Sequence, residues 1–186
     1  MAWELADPLQ DVEAIVELAD TNFGWEVEGV ITRSRDVFRH RVTVAATEQV
    51  FNRYREFLAV CKVPGEAVWR QIGEYVDIRR GADKLLGFCW FDRGGYTTYS
   101  NEEISNAKFY SVDMNLPAKQ RVRLVNEMID QHILWANMCG IPIVCSTSIR
   151  EDQDAFMRIH AKRGFTVNGS YAWIRTSDAI EMLTHD

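Results

Sequence analysis

At 186 residues the chain is long enough for one domain with a sizeable core, and 47% apolar with 26% charged residues is the balance of an ordinary soluble globular protein. A formal net charge of −6 speaks against a broad basic surface for nucleic acid. Cys61, Cys89, Cys139 and Cys145 make no CxxC or Cys/His cluster, so no metal site is expected and the four read as free thiols of a reducing compartment.

The start MAWELADP has no basic segment followed by an apolar one, and no stretch approaches the roughly 18 apolar residues of a membrane span. A cytoplasmic protein with no membrane contact is expected. Residues 2–5 read as a short edge strand. Asp7-Pro8 is a helix-start signal, and Val12, Ile15, Val16 and Ala19 at helical spacing predict a helix over 8–20. FGWEVEG at 23–29 reads as a turn with exposed aromatics. The pattern over 32–62 is again helical and predicts two helices meeting near 45–47, the second carrying Val50, Phe51, Tyr54, Phe57, Leu58 and Cys61 on its apolar face. Arg33, Arg35, Arg39, His40, Arg41, Arg53 and Arg55 make this the densest positive block; it reads as a solvated helix face, with a site for an anionic partner as the rival.

Pro64-Gly65 breaks the chain. EYVDIRR (74–80) and KLLGFCWFD (84–92) predict a hairpin, and 95–107 a polar loop over one end of the sheet. FYSVDM is a short strand. The segment from Lys119 to Gly140 predicts one long helix with Val122, Val125, Ile129, Ile133 and Ala136 along its inner face, widened by Leu124, Met128 and Trp135. Pro117 suits its first turn, and Gly140 followed by Pro142 its end. IPIVCSTSI reads as a strand buried on both faces, REDQDAFMRIHAKRG as a second helix, FTVNGSYAWIR as a hairpin turning at Asn168-Gly169, and SDAIEMLTHD as a last short helix. The expected organisation is one α/β domain, with a helical part over 8–62 and a sheet part over 74–175.

This order resembles the acyltransferase fold of the GCN5-related N-acetyltransferase superfamily, a mixed and mostly antiparallel central sheet flanked by helices. The resemblance covers roughly 8–175. It rests on LLGFCWF with Leu86-Gly87, on KFYSVDM before the long helix, and on the Gly164-Phe165 turn in AKRGF followed by NGSYAWIR. It implies an acetyl-CoA site in a V-shaped gap between the fourth and fifth strands of the family's fold. A glycine-rich loop before the long helix would hold the pyrophosphate with backbone N–H groups.

The sequence departs from that pattern in two places. NLPAKQRVRLV has no glycine between Asn115 and Leu124. Either side chains replace the cradle, with Asp113, Met114, Lys119, Gln120, Arg121 and Arg123 around the cofactor, or the pocket is lost. His160 stands where many relatives have a tyrosine that protonates the leaving thiolate, and becomes the candidate acid. Glu102, Glu103 and Asp113 are the carboxylates available as base, with Glu103 chosen.

Three functions follow from the resemblance. The first is an acyl-CoA-dependent N-acyltransferase acting on a small-molecule or protein amine. The second is a non-catalytic assembly module with a protein partner, like the degenerate copies of this fold in tailed-phage virions, located in host cytoplasm or virion. The third, least favoured by the acidic balance, is nucleic-acid base modification.

Overall fold

The computed structural model describes residues 2–22, 26–27, 31–72, 75–147 and 153–168. They fall in two compact units, Met1–Asn22 with Arg35–Ser146, and Phe23–Ser34 with Thr147–Asp186. The first unit holds β1 (Ala2–Leu5), α1 (Val12–Asn22), α2 (Arg35–Phe51), β4 (Glu56–Val63), β5 (Ala67–Ile72), β6 (Tyr75–Arg80), β7 (Lys84–Gly95), β8 (Ile104–Val112), α3 (Ala118–Met138) and β9 (Ile143–Cys145). The second holds β2 (Glu26–Val27), β3 (Ile31–Thr32) and α4 (Gln153–Lys162).

The main sheet of the first unit runs β1-β4-β7-β8-β9 and is antiparallel except for the parallel pair β8–β9. This is the expected α/β class. Helix α3 packs on one face, over Phe91, Cys89 and Val112. Helices α1 and α2 cover the other, where Phe38 meets Trp90 and Phe109. The Asn22 amide ties α1 to β8 by donating to Ser111 Oγ (2.7 Å) and the Val112 carbonyl (2.8 Å).

Several elements differ from the sequence-based expectation. Helix α1 starts a turn later than position 8, because Asp7 caps a separate turn by accepting the N–H groups of Leu9 (2.7 Å) and Gln10 (3.2 Å). Where two helices meeting near 45–47 were expected within 32–62, α2 runs on through that point to Phe51 and strand β4 follows. Its residues 58–61 are all buried, and an unbroken apolar run fits a strand and a helix face equally well. Buried Gln49 then stitches α2 to the sheet, donating to the carbonyls of Ala6 (3.1 Å) and Leu58 (3.0 Å) and accepting the Leu58 N–H (2.9 Å).

The strands at 74–80 and 84–92 do not pair with each other. Strand β6 pairs with β5 in a separate ribbon, and the turn after it folds back so that the Gly81 N–H donates to the Glu66 carbonyl (2.9 Å). Strand β7, buried from Leu85 to Phe91, takes β4 and β8 as its two neighbours. Strand β8 begins within the stretch expected to be loop. Strand β9 is short and only partly buried, having β8 alone as a described neighbour.

Helix α3 is turned from the face the periodicity suggested. Its buried residues are Leu124, Met128, Ile129, His132, Trp135 and Ala136, while Val122 and Ile133 are exposed. It ends as expected: Gly140 adopts φ 70°, the Ile141 N–H reaches the Ala136 carbonyl (2.9 Å) and the Gly140 N–H that of Asn137 (3.1 Å). Gly87 lets α3 settle onto β7 and β8, since a Cβ there would stand 2.8 Å from Met128 Cε and 2.8 Å from the Ser111 carbonyl oxygen. Met128 can yield but the backbone of β8 cannot. Gly87→Ala is therefore expected to cost about 1–3 kcal/mol in urea unfolding; an unchanged midpoint would show that the helix has slack.

In the second unit β2 and β3 form a short antiparallel pair, and α4 closes with the same glycine device as α3. Gly164 has φ 86°, its N–H reaches the Ala161 carbonyl (3.1 Å), and the Phe165 N–H reaches that of His160 (3.1 Å). The expected Gly-Phe turn is thus a helix cap. The hairpin at Asn168-Gly169 and the last short helix lie outside the described residues.

Candidate functional site

In the main sheet of the first unit, β8 outruns β9, and the edge of β8 left beyond the last pair is a one-sided fork. Strands β8 and β9 pair only from Ile104 with Ile143 to Asn106 with Cys145, whereas β8 runs on to Val112. Beyond Asn106 the strand therefore has no described neighbour on that side. A β-bulge sits at the parting: Phe91 faces Ala107 and Trp90 faces Phe109, leaving Lys108 extra. The extra residue switches the side-chain alternation of β8. Ser105 and Tyr110, an odd number of residues apart, consequently both point to α3, and both meet the same histidine.

That residue is His132, fully buried in α3 and stacked on Phe91 with ring centroids 4.1 Å apart. Its Nε2 lies 2.6 Å from Ser105 Oγ and its Nδ1 2.7 Å from Tyr110 Oη. The Ser105 hydroxyl donates to the Asp92 carbonyl (3.0 Å). Its single proton being used there, Ser105 accepts Nε2–H, and Nδ1 is left to accept the Tyr110 O–H. Burial pushes the Tyr110 phenol well above its ordinary range, so it stays protonated. Sequence reasoning missed both residues. The available signal was a histidine amid Met128, Ile129, Trp135 and Ala136, a polar group on an apolar face.

The fork ends in the turn joining β8 to α3. Asp113 shapes it. Burial works against its charge, but Lys84 Nζ (3.0 Å) and the Asn115 N–H (2.9 Å) outweigh this and hold the carboxyl below its usual range. Asp113 is thus engaged with its own turn. Helix α3 opens at Pro117 with no side-chain cap and no acidic residue in its first turn, so its first N–H groups face outward beside Lys119, Gln120 and Arg121. At about 100° per residue Arg121 shares the side of the helix with His132, and Arg123 lies opposite. Arg121 Nη1 is 3.6 Å from Met114 Sδ, and its buried Nε has no hydrogen-bond partner among the described residues. Arg123 Nε instead binds Glu127 (2.7 Å), which also accepts from Trp3 in β1 (3.0 Å). The structure brings Arg121 against Met114 and pairs Arg123 with Glu127, while Lys119 and Gln120 stand exposed in the first turn of α3. An uncapped helix start with an orphaned guanidinium N–H fits the phosphates of a nucleotide cofactor.

The two residues expected to move protons sit elsewhere. Both oxygens of Glu103 are held by Arg93 (2.7 and 2.6 Å), one also by the Gly94 N–H (2.9 Å). The Arg93 bond holds its carboxyl below the usual range, the opposite of what a general base needs. Exposed Glu102 accepts a bond from Ser100 (3.4 Å) in the same loop. His160, in the second unit, is the cap partner of Phe165: its ring lies between Phe156 (4.4 Å) and Phe165 (5.0 Å), with Nδ1 3.0 Å from the Phe156 carbonyl. Burial lowers its proton affinity. Folded protein thus resists the proton that unfolded chain takes up near pH 6.5, and stability present above that value is lost as pH falls below it. His160→Gln is expected to flatten this loss in urea midpoints measured on both sides of it; an unchanged acid slope would contradict the assignment.

Three arginines of the positive block are paired with their neighbours. Arg35 pairs with Asp20 (2.6 Å), Arg39 with Glu13 (2.6 Å) and Asp36 (2.8 Å), and Arg55 with Glu48 (3.0 Å). Among the described residues no helix is long and apolar enough to cross a membrane, and no His, Cys, Asp and Glu cluster could hold a metal ion.

An α/β sheet with one edge strand outrun beside an uncapped helix start is an architecture found in other solved proteins. A tetramutant of the BH1408 protein from Bacillus halodurans matches with TM-score 0.62 at 12% identity, over 94% of this chain and 99% of that one. A predicted acetyltransferase from Clostridium acetobutylicum, solved with acetyl-CoA, matches with TM-score 0.60 at 10% identity over 95% and 97%. An aminoglycoside antibiotic 6'-N-acetyltransferase from Acinetobacter haemolyticus matches with TM-score 0.58 at 12% identity over 95% and 98%. The chain has the fold of the GCN5-related N-acetyltransferase superfamily. No protein-family model and no curated protein sequence matches it.

Proposed function

We propose that the chain is an acyl-CoA-dependent N-acyltransferase that transfers an acetyl group to an amine. The observation that carries this reading is the fork between β8 and β9 with the uncapped, basic start of α3 at its base. An extended thiol cofactor would lie along the edge of β8 beyond Asn106. Lys119, Gln120 and Arg121, with the first N–H groups of α3, would hold its phosphates in place of a glycine cradle. Bound acetyl-CoA supplies an activated thioester; the protein's part is to set an amine against it, for which positioning does most of the work. The structural relatives that are acetyltransferases support the acyl group, and the 6'-N-acetyltransferase among them supports an amine acceptor.

The test is thiol release from acetyl-CoA in the presence of a panel of primary amines, spanning aminoglycosides, polyamines and lysine peptides. Amine-dependent release is expected. Absence of release, with stable capture of another protein in a CoA-free mixture, would favour the non-catalytic assembly module instead.

A further inference from the structure

Packing α3 onto the sheet does not require a histidine in its buried face. Nor does the main sheet require a bulge in β8, yet without that bulge Ser105 and Tyr110 would fall on opposite faces. The two features together produce one arrangement. A buried imidazole is held at both nitrogens, with a phenol on its accepting side. Tyr110 stands past the last β8–β9 pair, with the side chain of Ser146, the residue just after β9, also at its hydroxyl.

We infer that Tyr110, His132 and Ser105 form a proton relay for acyl transfer, with Tyr110 Oη as the group that exchanges protons at the fork. The inference rests on the acyltransferase reading. Tyr110 is then the catalytic residue, and His132 and Ser105 are positioning residues that act through it. As the new nitrogen–carbon bond forms and an amine N–H breaks, Tyr110 Oη takes that proton while its own passes to His132 Nδ1. The resulting charge is held by the Nε2–H bond to Ser105 and by the Asp92 carbonyl behind it. When the carbon–sulfur bond breaks, the same path runs backwards and Tyr110 gives a proton to the departing thiolate. Amine and thioester become amide and thiol, and the relay ends as it began.

The surroundings suit a neutral relay. The titratable groups bearing on Tyr110 from neighbouring strands are Cys89 in β7 and Cys145 in β9, both pushed by burial toward the uncharged thiol. Phe91 covers one face of the imidazole.

The test compares full-length wild type, Tyr110→Phe, and protein with 3-fluorotyrosine at position 110, each titrated with acetyl-CoA and assayed for thiol release against pH with the amine panel. Tyr110→Phe is expected to lower kcat on the order of a hundredfold with acetyl-CoA affinity preserved and the urea midpoint lowered only modestly, since buried His132 Nδ1 loses the phenol donor. Fluorotyrosine keeps the hydroxyl and the packing, and is expected to move the alkaline limb of the rate profile to lower pH. A Phe variant with wild-type kcat, or a fluorotyrosine profile identical to wild type, would assign the pair to packing and overturn the relay alone. Wild type that neither binds acetyl-CoA nor releases thiol would remove the acyltransferase reading and the relay with it.

Discussion

Replacing Phe91 by alanine is expected to lower the unfolding free energy by about 3–5 kcal/mol, the range for truncating a buried aromatic. Phe91 is fully buried in the centre of β7, beneath α3. Its ring stacks on Phe57 (5.5 Å) and His132 (4.1 Å) and meets Tyr110 edge-on (5.6 Å), with Trp135 further off (6.3 Å). Four rings on three other elements therefore lose a partner at once. Against a total stability of about 5–15 kcal/mol for a domain, much of the folded population is at stake. Urea unfolding followed by tryptophan fluorescence reads the effect, and Leu134→Ala on the exposed side of α3 serves as the control, with a change of about 0.5 kcal/mol or less. Equal midpoints for the two variants would mean that the core is not centred on this ring.

The double charge reversal Lys119→Glu with Arg121→Glu is expected to weaken acetyl-CoA binding by at least two orders of magnitude, since each charge-assisted bond to a phosphate contributes about 1.5–3 kcal/mol and its replacement repels. The first turn of α3 already lacks an acidic residue, so the substitution also opposes the helix dipole. Arg123→Glu separates the cause from mere net charge. Its guanidinium is bound to Glu127, a turn further from the helix start, so its effect should be several-fold smaller. Calorimetric titration of both variants decides it. Equal losses from the two would show that the cations act as a diffuse field.

How far the sequence is legible follows from what each element depends on. Helix ends with a local chemical cause could be read: Gly140 and Gly164 both stop helices at positive φ. The strand at 56–63 could not, because its apolar residues satisfy a helical spacing too, and only its neighbours β1 and β7 decide the matter. The pairing of β6 with β5 was hidden for a similar reason, being settled by the Gly81 turn closing on Glu66. At the site, the cations at the start of α3 were visible as a cluster in NLPAKQRVRLV, but which of them face the fork depends on the rotation of the helix. Glu103 looked available because nothing local revealed Arg93 across the loop. Tyr110 and His132 are 22 residues apart and meet only through the bulge in β8, a feature with no sequence signature here.

The most direct test of this account is a calorimetric titration of the intact protein with acetyl-CoA, with desulfo-CoA as the control for chemistry at the four cysteines. The account predicts saturable binding of one ligand per chain with micromolar affinity, retained by desulfo-CoA and weakened by the Lys119/Arg121 reversal. A flat titration at millimolar ligand would contradict it, leaving a fork and a helix start that hold no acyl donor.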